Sequence, residues 1–323
     1  VNDPVPATPP VARDTAPAPT PAAPPSALPP HLVNRLPAEG INSSGEHPLR
    51  EAAWLVLATL ATLAVLVWAV GLGARWAAPR VPFAAEVALA ERWVDPILAA
   101  RAPAPDSPDH ARHAEREAAL QALAARVAAA MDLPPGMSVQ VGLDASPQLN
   151  AFATFGGRVR VFRGLLDALD SEDAVAALLA HEIAHVRHRH LAANAGRGLA
   201  LALVLGVVSA DAGAVAARGV LGGATELALL GYSREQETEA DAAAVAAVVA
   251  LYGHAGGVTA LFETLGRSMA GRPGAEVPEL LRTHPQTDKR IAAARARAAR
   301  QGWPVDGPLT PLPPALQGPA ADR

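Results

Sequence analysis

Ser171 to His190 reads SEDAVAALLAHEIAHVRHRH. The stretch carries its own helix signals. Ser171 suits an N-cap, and Glu172 and Asp173 follow where the helix dipole favours anions. Alanine and leucine fill the middle, and Arg187, His188, Arg189 and His190 close the last turn as cations. Residues four apart on a helix lie one above the other on one face. His181 and His185 can therefore direct two imidazole nitrogens at one point, as a zinc site requires. Glu182 projects beside them, where a carboxylate can take a proton from an attacking water. Such a five-residue pattern also recurs by chance on solvated helices. Here it sits in a nearly uncharged run from Ala174 to Ala184, so the helix is expected to be buried, and a buried His-Glu-His cluster needs partners.

Half of the 323 residues are hydrophobic, which allows one core domain with extensions. The net charge of -4 leaves no nucleic-acid footprint. Cysteine is absent, which excludes thiolate zinc ligands, disulfides and a cysteine nucleophile.

Composition divides the chain. Residues 1–51 form a Pro-rich arm without apolar periodicity, expected to be disordered or polyproline-like. Residues 52–74, AAWLVLATLATLAVLVWAVGLGA, carry no charge and are long enough to cross a hydrocarbon core. Trp54, Trp68 and Trp76 stand toward the ends, as interfacial anchors do. Arg35 and Arg50 flank one side against Arg75, Arg80 and Arg92 on the other, a thin lean toward a cytoplasmic C-terminal side. Residues 75–108 form a juxtamembrane connector with an amphipathic piece around Phe83 to Leu98. Residues 303–323 are Pro-rich and expected to be loose.

Residues 109–302 hold the main domain, expected to be α+β and mostly helical with a small sheet. Leu120, Leu123, Val127 and Met131 make one helical stripe. Ser138 to Leu143 alternates like a strand, and Ala151 to Ala153 and Arg158 to Phe162 read as two strands around Gly156-Gly157. Strand Arg158, Val159, Arg160, Val161, Phe162 should bury one face and present Arg158 and Arg160 on the other. The apolar runs Leu199 to Val208 and Val220 to Leu230 are too short or too interrupted to span, and are expected as buried helices or a surface leaning on the membrane. Further helices are expected from Ser233 to about Leu251, from Val258 to Met269 and from Thr287 to Arg300.

A hydrolytic zinc needs a third protein ligand. Leu191 stands ten residues after His181, where one zinc-protease arrangement has its third histidine. His188 cannot be bent back to the metal by a continuous helix. The remaining source is the helix opened by Tyr232 to Asp241, YSREQETEAD, with Ser233 as N-cap and Gln236 as its capping-box partner. The face of Glu237 continues through Asp241, Val245 and Val248, so it meets the core, whereas Glu235 and Glu239 point elsewhere. Glu237 is thus the third ligand, and Asp241, one turn on, can orient a ligating histidine.

HEIAH followed by YSREQETEAD, then Thr283-His284-Pro285, closely resembles the zinc metallopeptidase family of HtpX, BepA and the CAAX prenyl endopeptidase (metallopeptidase family 48, gluzincins), most of all its BepA-like members. NAFATFGGRVRVFRGLL looks like the family's strand beside the cleft, and the resemblance covers about Asp109 to Arg300. It implies a zincin-like domain with one Zn2+ held by His181, His185 and Glu237, with Glu182 as the base and Asp241 as the second acidic residue. It also implies that His284 can approach the zinc as a fourth, regulatory ligand. The expectation is a single-pass membrane zinc endopeptidase acting on polypeptide substrates in quality control of membrane or envelope proteins. It would touch membrane lipid and envelope-protein partners, with its domain in the periplasm and its substrate extended along Arg158 to Phe162. The rival expectation is a membrane-tethered, chaperone-like binding module with a dormant site.

Overall fold

The computed structural model describes residues 48–77, 80–196, 231–270, 280, 284 and 288–318. The two apolar runs between 199 and 230 and the arm before 48 lie outside the described residues. Helix α1, Pro48–Ala77, contains the stretch Leu49–Gly73, which by length and composition can cross a membrane.

Everything that positions the site is built around α6, Glu172–Arg187. Ser171 caps it, its hydroxyl accepting the amide of Ala174 at 3.2 Å. Every residue from Glu172 to Val186 is buried. Among the described residues α6 packs on α4, His110–Ala130; β2, Ala151–Thr154; α7, Arg234–Tyr252; and α8, Gly256–Ala270. Burying Leu178, Leu179 and Ile183 alone contributes about 1.5–3 kcal/mol each. The expected capping box of α7 is present, with Ser233 and Gln236 bonding reciprocally. Gly257 opens α8 so close to α6 that an added Cβ would lie 2.5 Å from the carbonyl oxygen of Asp173.

The sheet is mixed. Strand β3, Arg158–Phe162, lies between parallel β1, Gln140–Asp144, and antiparallel β2. This corrects the expectation that substrate extends along Arg158, Val159, Arg160, Val161 and Phe162, because both edges of that strand are already paired. The outer edge of β1 is also used: the amides of Val141 and Leu143 donate to Gln121 and Glu117 of α4. On β2, the pairing of Asn150 with Phe162 turns the amides and carbonyls of Ala151 and Ala153 away from β3. No backbone partner meets them among the described residues.

The polar face expected of β3 is covered. Helices α2, Phe83–Trp93, and α3, Asp95–Ala99, set Ala90, Val94 and Leu98 against Phe152 and Phe162. Asp95 then grips the buried Arg158 guanidinium at 2.7 and 3.0 Å. Residues 303–318 are not loose either. Thr310 accepts the amide of Glu172 at 3.0 Å and donates its own to Asp173 at 2.8 Å, and Leu316 is buried with its carbonyl on Arg116. The orphan polar groups at the start of α6 attract this strap, which proline content alone does not disclose.

Gly257→Ala should lower the unfolding free energy by about 1–3 kcal/mol, because helix backbone rather than a side-chain tip must move. Urea denaturation measures this, and an unchanged midpoint would mean the two helices part more easily than they pack.

Candidate metal centre

Two helices deliver the donors. α6 brings His181 Nε2 and His185 Nε2 to 3.1 Å of each other. α7 brings Glu237, whose carboxylate oxygens lie 3.6 Å from each of those nitrogens. The segment ahead of α9, Asp288–Arg300, brings His284. Its Nδ1 stands 3.1 Å from His181 Nε2 and 2.9 Å from Glu237 Oε1. The four residues are buried and their donor atoms lie within 4.8 Å of one another. Glu182 is fully buried, 3.8 Å from His284 Nε2, and neither of its oxygens has a hydrogen-bond partner among the described residues.

The protons show what this cluster can accept. Asp241 Oδ1 lies 3.1 Å from His181 Nδ1, so that nitrogen carries the proton and Nε2 presents a lone pair. The lone pair faces other ring nitrogens and a carboxylate. Burial lowers the His181 imidazole, but Asp241 and Glu237 outweigh it and raise it. Three carboxylates (Glu182, Glu237, Asp241) meet the guanidinium of Arg290, so two negative charges remain uncompensated with neutral imidazoles and one with His181 protonated. A divalent cation supplies that balance. Ligand atoms on a tetrahedral zinc lie about 3.3 Å apart, and the separations here run from 2.9 to 3.6 Å. The residues therefore fit a zinc-sized ion.

Each imidazole has its own support. Behind His181, Asp241 is gripped by Arg290 at 2.6 and 2.8 Å, and Arg290 also reaches Glu237 at 2.9 Å. Behind His185 stands His190, Nδ1 to Nδ1 at 2.9 Å, and His190 Nε2 contacts Glu239 at 3.0 Å. Tyr232 stacks on His185 at 3.7 Å. Burial raises the Asp241 carboxyl, but hydrogen bonds from His181 and Arg290 outweigh it and hold the pKa at about 2. Burial pushes the His185 imidazole well down, assisted by the neighbouring histidines. Burial lowers His190 to about 4, so it is a neutral ring and not the helix-end cation expected.

His190 reaches His185 because α6 stops. Arg189 adopts φ 57, and the chain then turns back as helical residues 190–196. A non-glycine residue pays roughly 1 kcal/mol or more there. The Arg189 guanidinium offsets it with Glu86 at 2.6 and 2.8 Å and the Val81 carbonyl at 3.0 Å.

His181, Glu182, His185, Glu237, Asp241 and His284 all meet here, whereas Arg158 to Phe162 lie in the inner strand. Arg290, His190, Glu239 and Tyr232 join them without being expected from spacing. A signal for Arg290 exists, since it heads the stripe continued by the buried Ala294 and Ala298. Glu239 points away from the metal face, yet it supports that face through His190.

The family model described as Peptidase family M48 matches residues 114–298. The chain is similar to the putative beta-barrel assembly-enhancing protease of Vibrio cholerae, 33% identical over 160 residues covering 46% of this chain and 32% of that protein. It is also similar to the beta-barrel assembly-enhancing protease of Escherichia coli, 32% identical over 161 residues covering 47% and 32%. Metalloprotease YcaL of Escherichia coli is 29% identical over 167 residues, covering 51% and 64%. The matched part thus spans about a third of the length of the two beta-barrel assembly-enhancing relatives.

The Asp241 carboxyl is depressed in the folded state, so its contribution is present above the unfolded value near 3.8 and is lost as pH falls toward 2. A shift of that size corresponds to about 2 kcal/mol. Asp241→Asn should remove that acid-dependent part, which urea unfolding of chelator-treated protein between pH 5 and 2 measures. An unchanged pH slope would show that the carboxylate is not held as its contacts require.

Proposed function

The chain belongs to peptidase family M48, and we propose that it is a zinc metalloendopeptidase, membrane-anchored through α1 and acting in quality control of membrane or envelope proteins. The observation that carries this reading is the convergence of His181, His185 and Glu237 around a buried excess of negative charge, with Glu182 beside them. Bound zinc supplies a Lewis acid for the scissile carbonyl. Glu182 takes the proton of the attacking water on a carboxylate oxygen and returns it to the leaving amine. Asp241 and Arg290 fix the tautomer and tilt of His181, and His190 does the same for His185.

An extended polypeptide pairs with the outer edge of β2, through Ala151 and Ala153, rather than with β3. Support comes from the turned-out backbone of those residues and from Ala153 and Thr154 sharing a cleft with His185. The names of the beta-barrel assembly-enhancing relatives favour membrane or envelope proteins as substrates and an extracytoplasmic site. His284 restrains the resting enzyme, because it stands among the ligands where a substrate carbonyl or water must enter.

Purified Glu182→Gln should keep its zinc and lose about a hundred- to ten-thousandfold in cleavage of an unfolded protein such as casein. Full activity in that variant, or undiminished zinc in His181→Ala plus His185→Ala, would overturn the assignment. His284→Ala should keep zinc and cleave faster or digest itself. A fall of about ten- to a thousandfold would instead make His284 a donor to the transition state.

A further inference from the structure

A second group of ligating side chains lies outside the four-donor cluster. His188, His190 and Glu239 each offer an atom, and these atoms lie within 4.8 Å of one another. The backbone creates the group. Arg189 in the left-handed region throws His188 and His190 to one side of the turn, where their rings stack at 5.4 Å and 17°. α7 supplies Glu239, 47% exposed, whose Oε2 already lies 3.0 Å from His190 Nε2. Two imidazoles and a carboxylate with solvent on the open side are a donor set that zinc accepts.

We propose that His188, His190 and Glu239 form a second divalent-metal site whose occupation weakens the first. The antagonism, though not the site, rests on His185 being a ligand of the catalytic metal. With a metal on His185 Nε2, the proton of that ring sits on Nδ1 and is donated to His190 Nδ1, 2.9 Å away. His190 then carries its own proton on Nε2 and donates it to Glu239. A divalent ion at His190 Nε2 needs the lone pair there. The proton must move to His190 Nδ1, where it faces the Nδ1 proton of His185. No proton is gained or lost, but a hydrogen bond becomes a contact between two donors. Loss of such support typically costs a metal site about 10–100-fold in affinity. Excess zinc is therefore an inhibitor built on this chain's own residues, acting from the surface end of α6.

Zinc binding by the full chain in detergent tests this without reference to activity. Equilibrium dialysis should give two zinc ions per wild-type chain, one tight and one weak. His188→Ala should bind only the tight one, and because His188 is exposed the fold is preserved. His181→Ala plus His185→Ala should bind only the weak one. Wild type loaded with one equivalent of isotopically labelled zinc should lose label about 10–100-fold faster when natural zinc is added in excess, and His188→Ala should not accelerate. A single zinc on wild type that His188→Ala retains, or two on His188→Ala, overturns the second site. Two sites without accelerated exchange overturn the antagonism. Loss of the weak ion in His188→Ala with no tight ion on any variant would leave this site standing and sink the catalytic-metal reading.

Discussion

A helix buried along every residue from Glu172 to Val186 has no water with which to satisfy its polar side chains. Alanine, leucine and valine make that burial favourable, yet Glu172, Asp173, His181, Glu182 and His185 go in with them. A buried charge or imidazole left unpaired costs several kcal/mol. The surroundings can be read as answers to that constraint. Arg126 and Tyr252 answer Glu172, Thr310 answers Asp173, Asp241 answers His181, and His190 answers His185. Glu182 alone of these finds no hydrogen-bond partner among the described residues, and His284 stands 3.8 Å from it. A carboxylate kept fully buried and uncommitted is suited to moving a proton, and poorly suited to holding a fold together.

Physical reasons separate what could be read from the chain from what could not. Local patterns were legible: the cap and dipole of α6, the capping box of α7, and the face shared by Glu237, Asp241, Val245 and Val248. Each depends on helical periodicity, which one sequence carries in full. Strand order was illegible, because alternation in Arg158 to Phe162 says which side chains share a face and nothing about which edges are paired. Burial of Arg158 depended on Asp95 arriving from 63 positions away. The C-terminal strap was illegible for a similar reason. Proline-rich composition predicts poor self-association, but the unsatisfied start of α6 gives this segment something to bind.

The break at Arg189 shows how one backbone angle alters the chemistry. A continuous helix would carry His190 away from the His185 ring. At φ 57 the helix ends and the same residue becomes a buried neutral partner of His185. What makes the angle affordable is Glu86 on α2, the helix that also packs on Phe152 and Phe162. The segment that carries α2 and α3 is therefore part of the domain's architecture and more than a spacer.

The imidazoles of His181 and His185 are supported unequally, and the inequality follows from depth. Asp241 is held by two bonds from a largely buried Arg290, which also reaches Glu237, so His181 sits in a closed set of charges little affected by salt. His185 leans on a neutral ring whose outer bond ends at Glu239, with 47% of that side chain open to solvent. Water and ions can compete for the last link of this chain but not for the first. The His181 side gives the centre its permanence, while the His185 side is where conditions outside the protein can reach the donors. A site built from two equally buried supports would be tighter, and it would have no such route to the surface.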